Sequence, residues 1–260
     1  YFMRSSKRLR VFSGPNGSGK STIYKEAKKH FKSIPFVNAD EIEQLLHKNG
    51  FVDLAQFVIR INKRTFNNFL KVNSAKSIIK KAKHEGKPFE FSFAKNCLNI
   101  DRIKVNSYAA SFCASFIRWL LIKKRVSFSF ETVMSHVSKI EELKFAKEND
   151  YKVYLYFICT EQSIINIERV KNRVQKGGHY VGDEKVESRY HKTLSILYPA
   201  LEHCHRAYFF DNSNIEPVLI AEMYNSKLVI RTDDIPSWFL QYVITPFSNN
   251  TPSVSAGFNK

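Results

Sequence analysis

Long apolar runs are missing from this 260-residue chain, and none approaches the roughly 20 residues that a bilayer-spanning helix needs. No apolar stretch of roughly 7–15 residues follows the basic start YFMRSSKRLR, so no signal peptide is read, and Met3 reads as the natural start. Cysteine occurs four times, at Cys97, Cys113, Cys159 and Cys204, and never as a C-x-x-C pair. That spacing argues against a zinc ribbon or a disulfide framework and fits a reducing, cytoplasmic location. The string His203-Cys204-His205 has metal-binding residue types, but neighbours on a helix point about 100° apart and cannot all face one ion. No internal repeat is visible.

Acids are scarce as well: 24 Asp and Glu stand against 41 Lys and Arg, for a formal net charge of +17. Between Arg60 and Lys87 nine Lys and Arg face Glu85 alone, nearly half of the whole excess. Such a field draws polyanions: nucleotides, nucleic acid or an acidic protein. It is equally the composition of a solvated helical face. The 43% hydrophobic content is that of an ordinary globular protein, and the length suffices for one substantial domain.

Glycine is sparse too, nine in all, yet three of the nine fall at Gly14, Gly17 and Gly19. They interrupt a chain that passes from an apolar strand pattern, Leu9–Ser13, into a lysine-rich helical one, Ser21–Phe31. The stretch Gly14-Pro15-Asn16-Gly17-Ser18-Gly19-Lys20-Ser21-Thr22 matches G-x-x-x-x-G-K-S/T. Glycines let the backbone take positive φ and approach a ligand closely, so that successive N–H groups can face phosphate oxygens. The helix start adds its positive dipole end, Lys20 reaches the β- and γ-phosphates, and Ser21 is a Mg²⁺ ligand. ATP and Mg²⁺ are the cofactors expected.

Further along, strand and helix patterns alternate. Strands are expected at 34–40, 126–130, 151–160, 206–213 and 228–232, and helices at 41–48, 53–72, 75–84, 107–124, 139–148, 161–176 and 183–203. The fold class this predicts is α/β: a P-loop NTPase, kinase-like, with a parallel sheet flanked by helices. Residues 1–245 are expected to form one domain carrying a basic helical insertion or cap at 50–106, with a loose polar tail at 246–260.

In an open α/β sheet the C-terminal strand ends converge on the ligand crevice. Asp40 follows the second expected strand and Glu131 a later one, so these carboxylates are candidates for the base toward an acceptor hydroxyl and for holding Mg²⁺ or the acceptor. The alternative for Asp40 is a helix N-cap, and for Glu131 a solvent-facing strand end. Arg169 and Arg173 lie i, i+4 on one helical face before the double glycine 177–178, as a phosphate-neutralising lid would require. An ordinary basic surface helix would look the same.

Taken in order, VFSGPNGSGKST, NAD, SFETVMS, RVKNRVQKGGHYV, SRYHKTL and YFFDNS resemble the zeta-toxin family, and more closely its short branch, often labelled predicted ABC-type ATPases. The resemblance runs from about residue 9 to 213 and leaves out 50–105. It implies a P-loop kinase fold rather than a transporter ATPase, since no LSGGQ-like signature is present. It also implies transfer of the γ-phosphate of ATP to a hydroxyl of a UDP-activated amino sugar. By the same resemblance Lys20 and Ser21 take the Walker A roles, Asp40 is the general base, Glu131 with Thr132 beside it belongs to the sugar site, and Arg169 is the first of two phosphate-stabilising arginines. His179 stands where longer members have the second arginine, so either Arg173 supplies that charge or the lid works differently. Val133 and Met134 stand where the family has further sugar contacts. A UDP-sugar or similar anionic metabolite is the expected substrate, a small antitoxin a possible partner, and no membrane is expected. The competing expectation is a nucleic-acid-binding P-loop ATPase that uses the basic helices 60–87.

Overall fold

The computed structural model describes residues 6–31, 34–177 and 181–250. In chain order the elements are β1 (Lys7–Ser13), α1 (Lys20–Ala27), β2 (Phe36–Val37), α2 (Ala39–Asn49), β3 (Phe51–Asp53), α3 (Lys63–Phe69), α4 (Asn73–His84), β4 (Ser92–Ala94) and β5 (Cys97–Asn99). There follow α5 (Ser107–Lys123), β6 (Phe128–Thr132), α6 (Ser138–Glu148), β7 (Tyr151–Cys159), α7 (Ser163–Gln175), α8 (Asp183–Ser195) and α9 (Leu197–Leu201). Last come β8 (Arg206–Asp211), β9 (Val218–Tyr224), β10 (Lys227–Ile230), α10 (Ser237–Phe239) and α11 (Thr245–Asn250). The fold class is the expected one, α/β with a mostly parallel central sheet flanked by helices.

The chain divides into two compact units, and the division falls inside β1, between Arg10 and Val11. The first unit comprises residues 1–10, 32–132 and 149–151. Its part of the main sheet has the order β1-β6-β2, with β2 parallel to β6 through Phe36↔Ser129 and Val37↔Phe130. Three helix starts here, those of α2, α3 and α5, are set by asparagine. Asn38 accepts from Asp40 N at 2.8 Å, Asn62 from Thr65 N at 3.1 Å, and Asn106 from Tyr108 N and Ala109 N at 2.9 and 3.1 Å. Each satisfies N–H groups that have no partner inside the helix. Helix α5 is buried on nearly every side and organises this unit's core. Phe69 on α3 meets its Phe112, Phe116 and Trp119 at ring-centroid distances of 5.3, 4.9 and 5.5 Å. Phe66 meets Phe112 and Phe116 at 6.5 and 5.5 Å. The aromatics interleaved with the basic run are therefore core, and the exposed face of α4 is left to Lys76, Lys80, Lys81 and Lys83.

Two expectations for this region are corrected. Residues 53–72 do not form one helix: β3 ends at Asp53, a 3₁₀ turn covers Leu54–Phe57, Val58 turns the chain at φ 60°, and α3 begins only at Lys63. Nor is the 50–106 stretch purely helical. It holds a three-stranded antiparallel sheet of order β3-β5-β4, pairing Val52↔Leu98 and Phe93↔Leu98. The β4–β5 turn uses Lys95 and Asn96 at φ 50° and 63°, the two successive positive values a tight hairpin demands, met here without glycine.

The second unit comprises residues 11–31, 133–148 and 152–260. Its sheet order is β10-β9-β8-β7-β1, with β7 parallel to β8, β9 antiparallel to β8, and β10 antiparallel to β9. Strand β9 was not expected from the sequence. The expected helix 183–203 is broken at Ile196, where Pro199 cannot donate to the preceding turn. The expected loose tail, 246–260, begins inside the helix Thr245–Asn250, and 251–260 lie outside the described residues. Phe12, Ile23 and Ile158 form a buried cluster under α1, covered by Tyr24, Tyr156 and Phe210. Among the described residues no helix is long and apolar enough to cross a membrane.

Candidate functional site

Strand β1 delivers the chain into the glycine corner, and α1 leaves it. Gly14, Gly17 and Gly19 have φ of 150°, 78° and 91°, a region that side-chain-bearing residues rarely adopt. Neighbours press on each of them. A Cβ at Gly14 would lie 1.9 Å from the Ile158 carbonyl oxygen, one at Gly17 2.5 Å from that of Asn166, and one at Gly19 2.2 Å from the Asn212 amide nitrogen. The corner is thus a backbone cradle whose shape glycine alone permits. Lys20, the first residue of α1, is 6% exposed, and its Nζ donates to the Pro15 carbonyl at 2.8 Å, so the ammonium folds back over the first half of the loop. Ser21 and Thr22 follow on the exposed first turn of α1.

Two side chains fix the loop from outside, and the backbone of Asn166 presses on it. Asn212, just past β8, donates from Nδ2 to the Ser18 carbonyl at 2.9 Å, while its own N–H donates to the Cys159 carbonyl at 2.8 Å. Arg189 on α8 donates from Nη1 to Asn16 Oδ1 at 3.3 Å. Asn166 on α7 is fully buried behind Gly17, its Oδ1 accepting from the Thr160 hydroxyl. Tyr190 anchors α8 by donating to the Thr160 and Glu161 carbonyls at 2.7 and 3.0 Å. Burial pushes its phenol well above the ordinary tyrosine range, so it remains a donor.

Arg169 is not free to follow a moving phosphate. Its Nη1 donates to the Asn212 carbonyl at 2.6 Å, and its Nη2 to those of Ser213 and Asn214 at 3.4 and 3.0 Å. The guanidinium therefore ties down the turn that carries Asn212. Beside it, Asp211 accepts from Ser213 and from Trp238 Nε1 at 3.0 Å. Arg173 lies one turn further along α7, exposed. His179 lies outside the described residues.

In the other unit Asp40 sits in the first turn of α2, exposed. It is not the helix cap, because Asn38 fills that role, and among the described residues no donor reaches its carboxylate. Glu131, near the end of β6, accepts weakly from Asn38 Nδ2 at 3.5 Å, and Thr132 is the last residue of that strand. Asn38 so joins the α2 start to the β6 end. Under Phe130, Arg118 of α5 is buried with its guanidinium 4.8 Å from the ring centroid. The His203–His205 string lies at the α9–β8 junction, and no cluster of three or more metal-ligating side chains occurs among the described residues.

The cradle fits a polyphosphate. Its glycines leave N–H groups unshielded by side chains, α1 points its N-terminus into it, and Lys20 supplies a buried cation. Mg²⁺ would take the hard hydroxyl oxygen of Ser21 and draw its other ligands from phosphate and water.

No protein-family model matches the chain. An uncharacterized protein of Haemophilus influenzae is 39% identical over 69 residues, which is 26% of this chain and 49% of that protein. A chain of the AvrRxo1-ORF1:-ORF2 complex superposes with a TM-score of 0.53 at 15% identity, over 87% of this chain and 61% of that one. A chain of the PezAT chromosomal toxin–antitoxin system of Streptococcus pneumoniae gives 0.49 at 12% identity, over 83% and 71%. The AvrRxo1 likeness shows the fold. The chain spans about half the length of the Haemophilus protein and under two thirds of the AvrRxo1 complex chain.

Asn212 and Arg189 escaped the sequence reading. Both lie in strings that stand out there, YFFDNS and SRYHKTL, but their partners Ser18 and Asn16 are 194 and 173 residues away.

Proposed function

We propose that the chain is an ATP-dependent phosphotransferase that moves the γ-phosphate to a hydroxyl of a small anionic metabolite, with a UDP-sugar as the candidate acceptor. The observation that carries this is the cradle itself: three glycines in conformations and spaces closed to other residues, at a strand-to-helix corner, with the buried Lys20 ammonium folded over it. The backbone of 14–22 and Lys20 hold the triphosphate, and Ser21 supplies the protein ligand to Mg²⁺. When bound, the metal offsets charge on the phosphate oxygens. Asp40, exposed and unengaged by donors among the described residues, takes the acceptor's hydroxyl proton. Glu131 and Thr132 bind the acceptor. Arg173 and His179 remain lid candidates, whereas Arg169 acts through the 212–214 turn.

The neighbour with the shared fold is a two-protein complex, which supports looking for a small partner protein. Co-purification with a small acidic protein would be the check, and toxicity relieved by Lys20→Ala would tie the partner to the kinase. The nucleic-acid reading retains its charge, but Phe66, Phe69, Phe112 and Phe116, the rings beside the basic helices, are buried and not available for stacking.

The deciding experiment incubates purified protein with Mg·ATP and a panel of UDP-sugars and nucleosides, and follows phosphate transfer by mass spectrometry. One phosphorylated acceptor supports the reading. ATP binding without transfer to any acceptor removes the acceptor class, and no ATP binding at all removes the phosphotransferase.

A further inference from the structure

We propose that the exposed lysine row of α4, Lys76, Lys80 and Lys83, is a docking surface for double-stranded nucleic acid, gripped through its phosphates without regard to sequence. The inference uses no residue of the glycine cradle and stands apart from the phosphotransferase reading.

Elsewhere in the chain several helical lysines are neutralised close by. Lys29 pairs with Glu26, Lys139 with Glu142, Lys144 with Glu148 and Lys171 with Glu168, each three or four residues away. On α4 that pattern is missing. The helix Asn73–His84 contains no acid, and Lys76, Lys80 and Lys83 have none three or four residues off in either direction. They sit instead at i, i+4 and i+7 on one face, where like charges repel and weaken the helix. A merely solvated helix is better served by interleaved signs. A bound polyanion turns the repulsion into attraction.

Packing sets the geometry of the row. Ala75 and Ala82, buried at i and i+7, lay α4 against α5 and leave the lysines outside. From Lys76 to Lys83 the row runs about 10 Å along the helix axis, a length over which a duplex carries about six phosphate charges. Arg60, Lys63, Arg64, Lys71, Lys81 and Lys87 are exposed too, and Glu85 is the one acid of that stretch, so the field extends well around the row.

What the face lacks selects the partner. Among the described residues from 60 to 90, Leu70 alone is an exposed large apolar side chain. A protein interface is anchored by aromatic or apolar side chains at its centre, and a membrane-surface helix by Trp, Phe or Leu on its inner face. Single-stranded nucleic acid is held by stacking on aromatic rings, and Phe66, Phe69, Phe112 and Phe116 are buried. A duplex keeps its bases stacked and its phosphates outside, so cations suffice to hold it.

The test is fluorescence anisotropy of the full chain on labelled DNA and RNA duplexes of about 20 base pairs, at salt concentrations from about 50 to 200 mM. Wild type is expected to bind with a steep salt dependence. The triple variant Lys76→Gln, Lys80→Gln, Lys83→Gln should weaken binding about tenfold or more and lower the slope of log K against log salt by about 2 to 3. Lys80→Gln alone, the smallest perturbation, should lower the slope by about one. Glutamine matches lysine in helix propensity, so melting temperatures should hold. A control, Lys144→Gln, Lys152→Gln, Lys192→Gln, removes the same charge from exposed positions elsewhere and should leave affinity within about threefold. Binding of either duplex with that loss in the α4 variant supports the proposal, and the tighter of the two identifies which nucleic acid the surface meets. No duplex binding at the lowest salt overturns it, as does an unchanged slope in the triple variant or an equal loss in the control. Tighter binding to a single strand, to polyglutamate or to phosphatidylserine-containing vesicles also overturns it, in favour of that partner.

Discussion

Asn212 holds the Ser18 carbonyl at 2.9 Å while its amide nitrogen blocks the space where a side chain on Gly19 would lie. One residue past β8 thus both fastens the loop and dictates that its last glycine be glycine. A distinction between the glycines follows. At Gly19 the obstacle is a side-chain end, at Gly14 it is the Ile158 backbone. Both Gly14→Ala and Gly19→Ala pay a backbone strain on the order of 1–3 kcal/mol. Only the second should be relieved in part by adding Asn212→Ala. Thermal melts of the two single variants and of each combined with Asn212→Ala would check this, and equal rescue of both glycine variants would contradict it.

Arg169→Gln should lower stability even without any nucleotide, since it leaves the carbonyls of 212–214 without their shared donor. A loss of about 1–3 kcal/mol is expected for bonds to a charged group. Urea unfolding of the apo protein measures it, and an unchanged midpoint would show that the turn does not need the guanidinium.

Asp40→Asn should abolish transfer, with ATP affinity within about twofold of wild type. The substitution removes a proton acceptor without touching the cap, which Asn38 provides. Initial rates and ATP titration on the same preparation separate the two effects. Undiminished turnover would take Asp40 out of the base role.

His205 offers a pH signature. Its ring lies edge-on to Tyr154 and Tyr224 at 5.5 and 5.3 Å, and burial, then Lys152 and Arg206, hold its pKa below the usual histidine value. The unfolded chain therefore binds more protons than the folded one just below the unfolded pKa of about 6.5. The stability due to the neutral ring is present above that pH, is lost as the pH falls toward the folded value, and levels off below it. His205→Gln should flatten the part of the stability–pH curve that falls away just below about pH 6.5. His203, lowered by burial and then by Lys147, contributes in the same direction, so the double variant should be flatter still.

The glycine corner was legible in the sequence because everything that shapes it locally is contiguous: apolar alternation, three glycines, a lysine and a helix start. The long aromatic strand β7 and the apolar helix α5 were equally plain. The short strands β3, β4 and β5 were not, since three residues each leave no period to read, and Lys95-Asn96 gives no glycine signal for their hairpin. At the site, Lys20 could be named from its motif, yet nothing local to Arg169 reveals that its charge is consumed by carbonyls more than forty residues later. Pairings of that kind exist only once β7 and β8 lie side by side.

Because Ile158, Asn166 and Asn212 each close off one glycine, the corner has its form before any guest arrives. Little disorder is left to surrender on docking, so the entropic penalty of capture should be small and the arrival rate governed by diffusion and charge rather than by rearrangement.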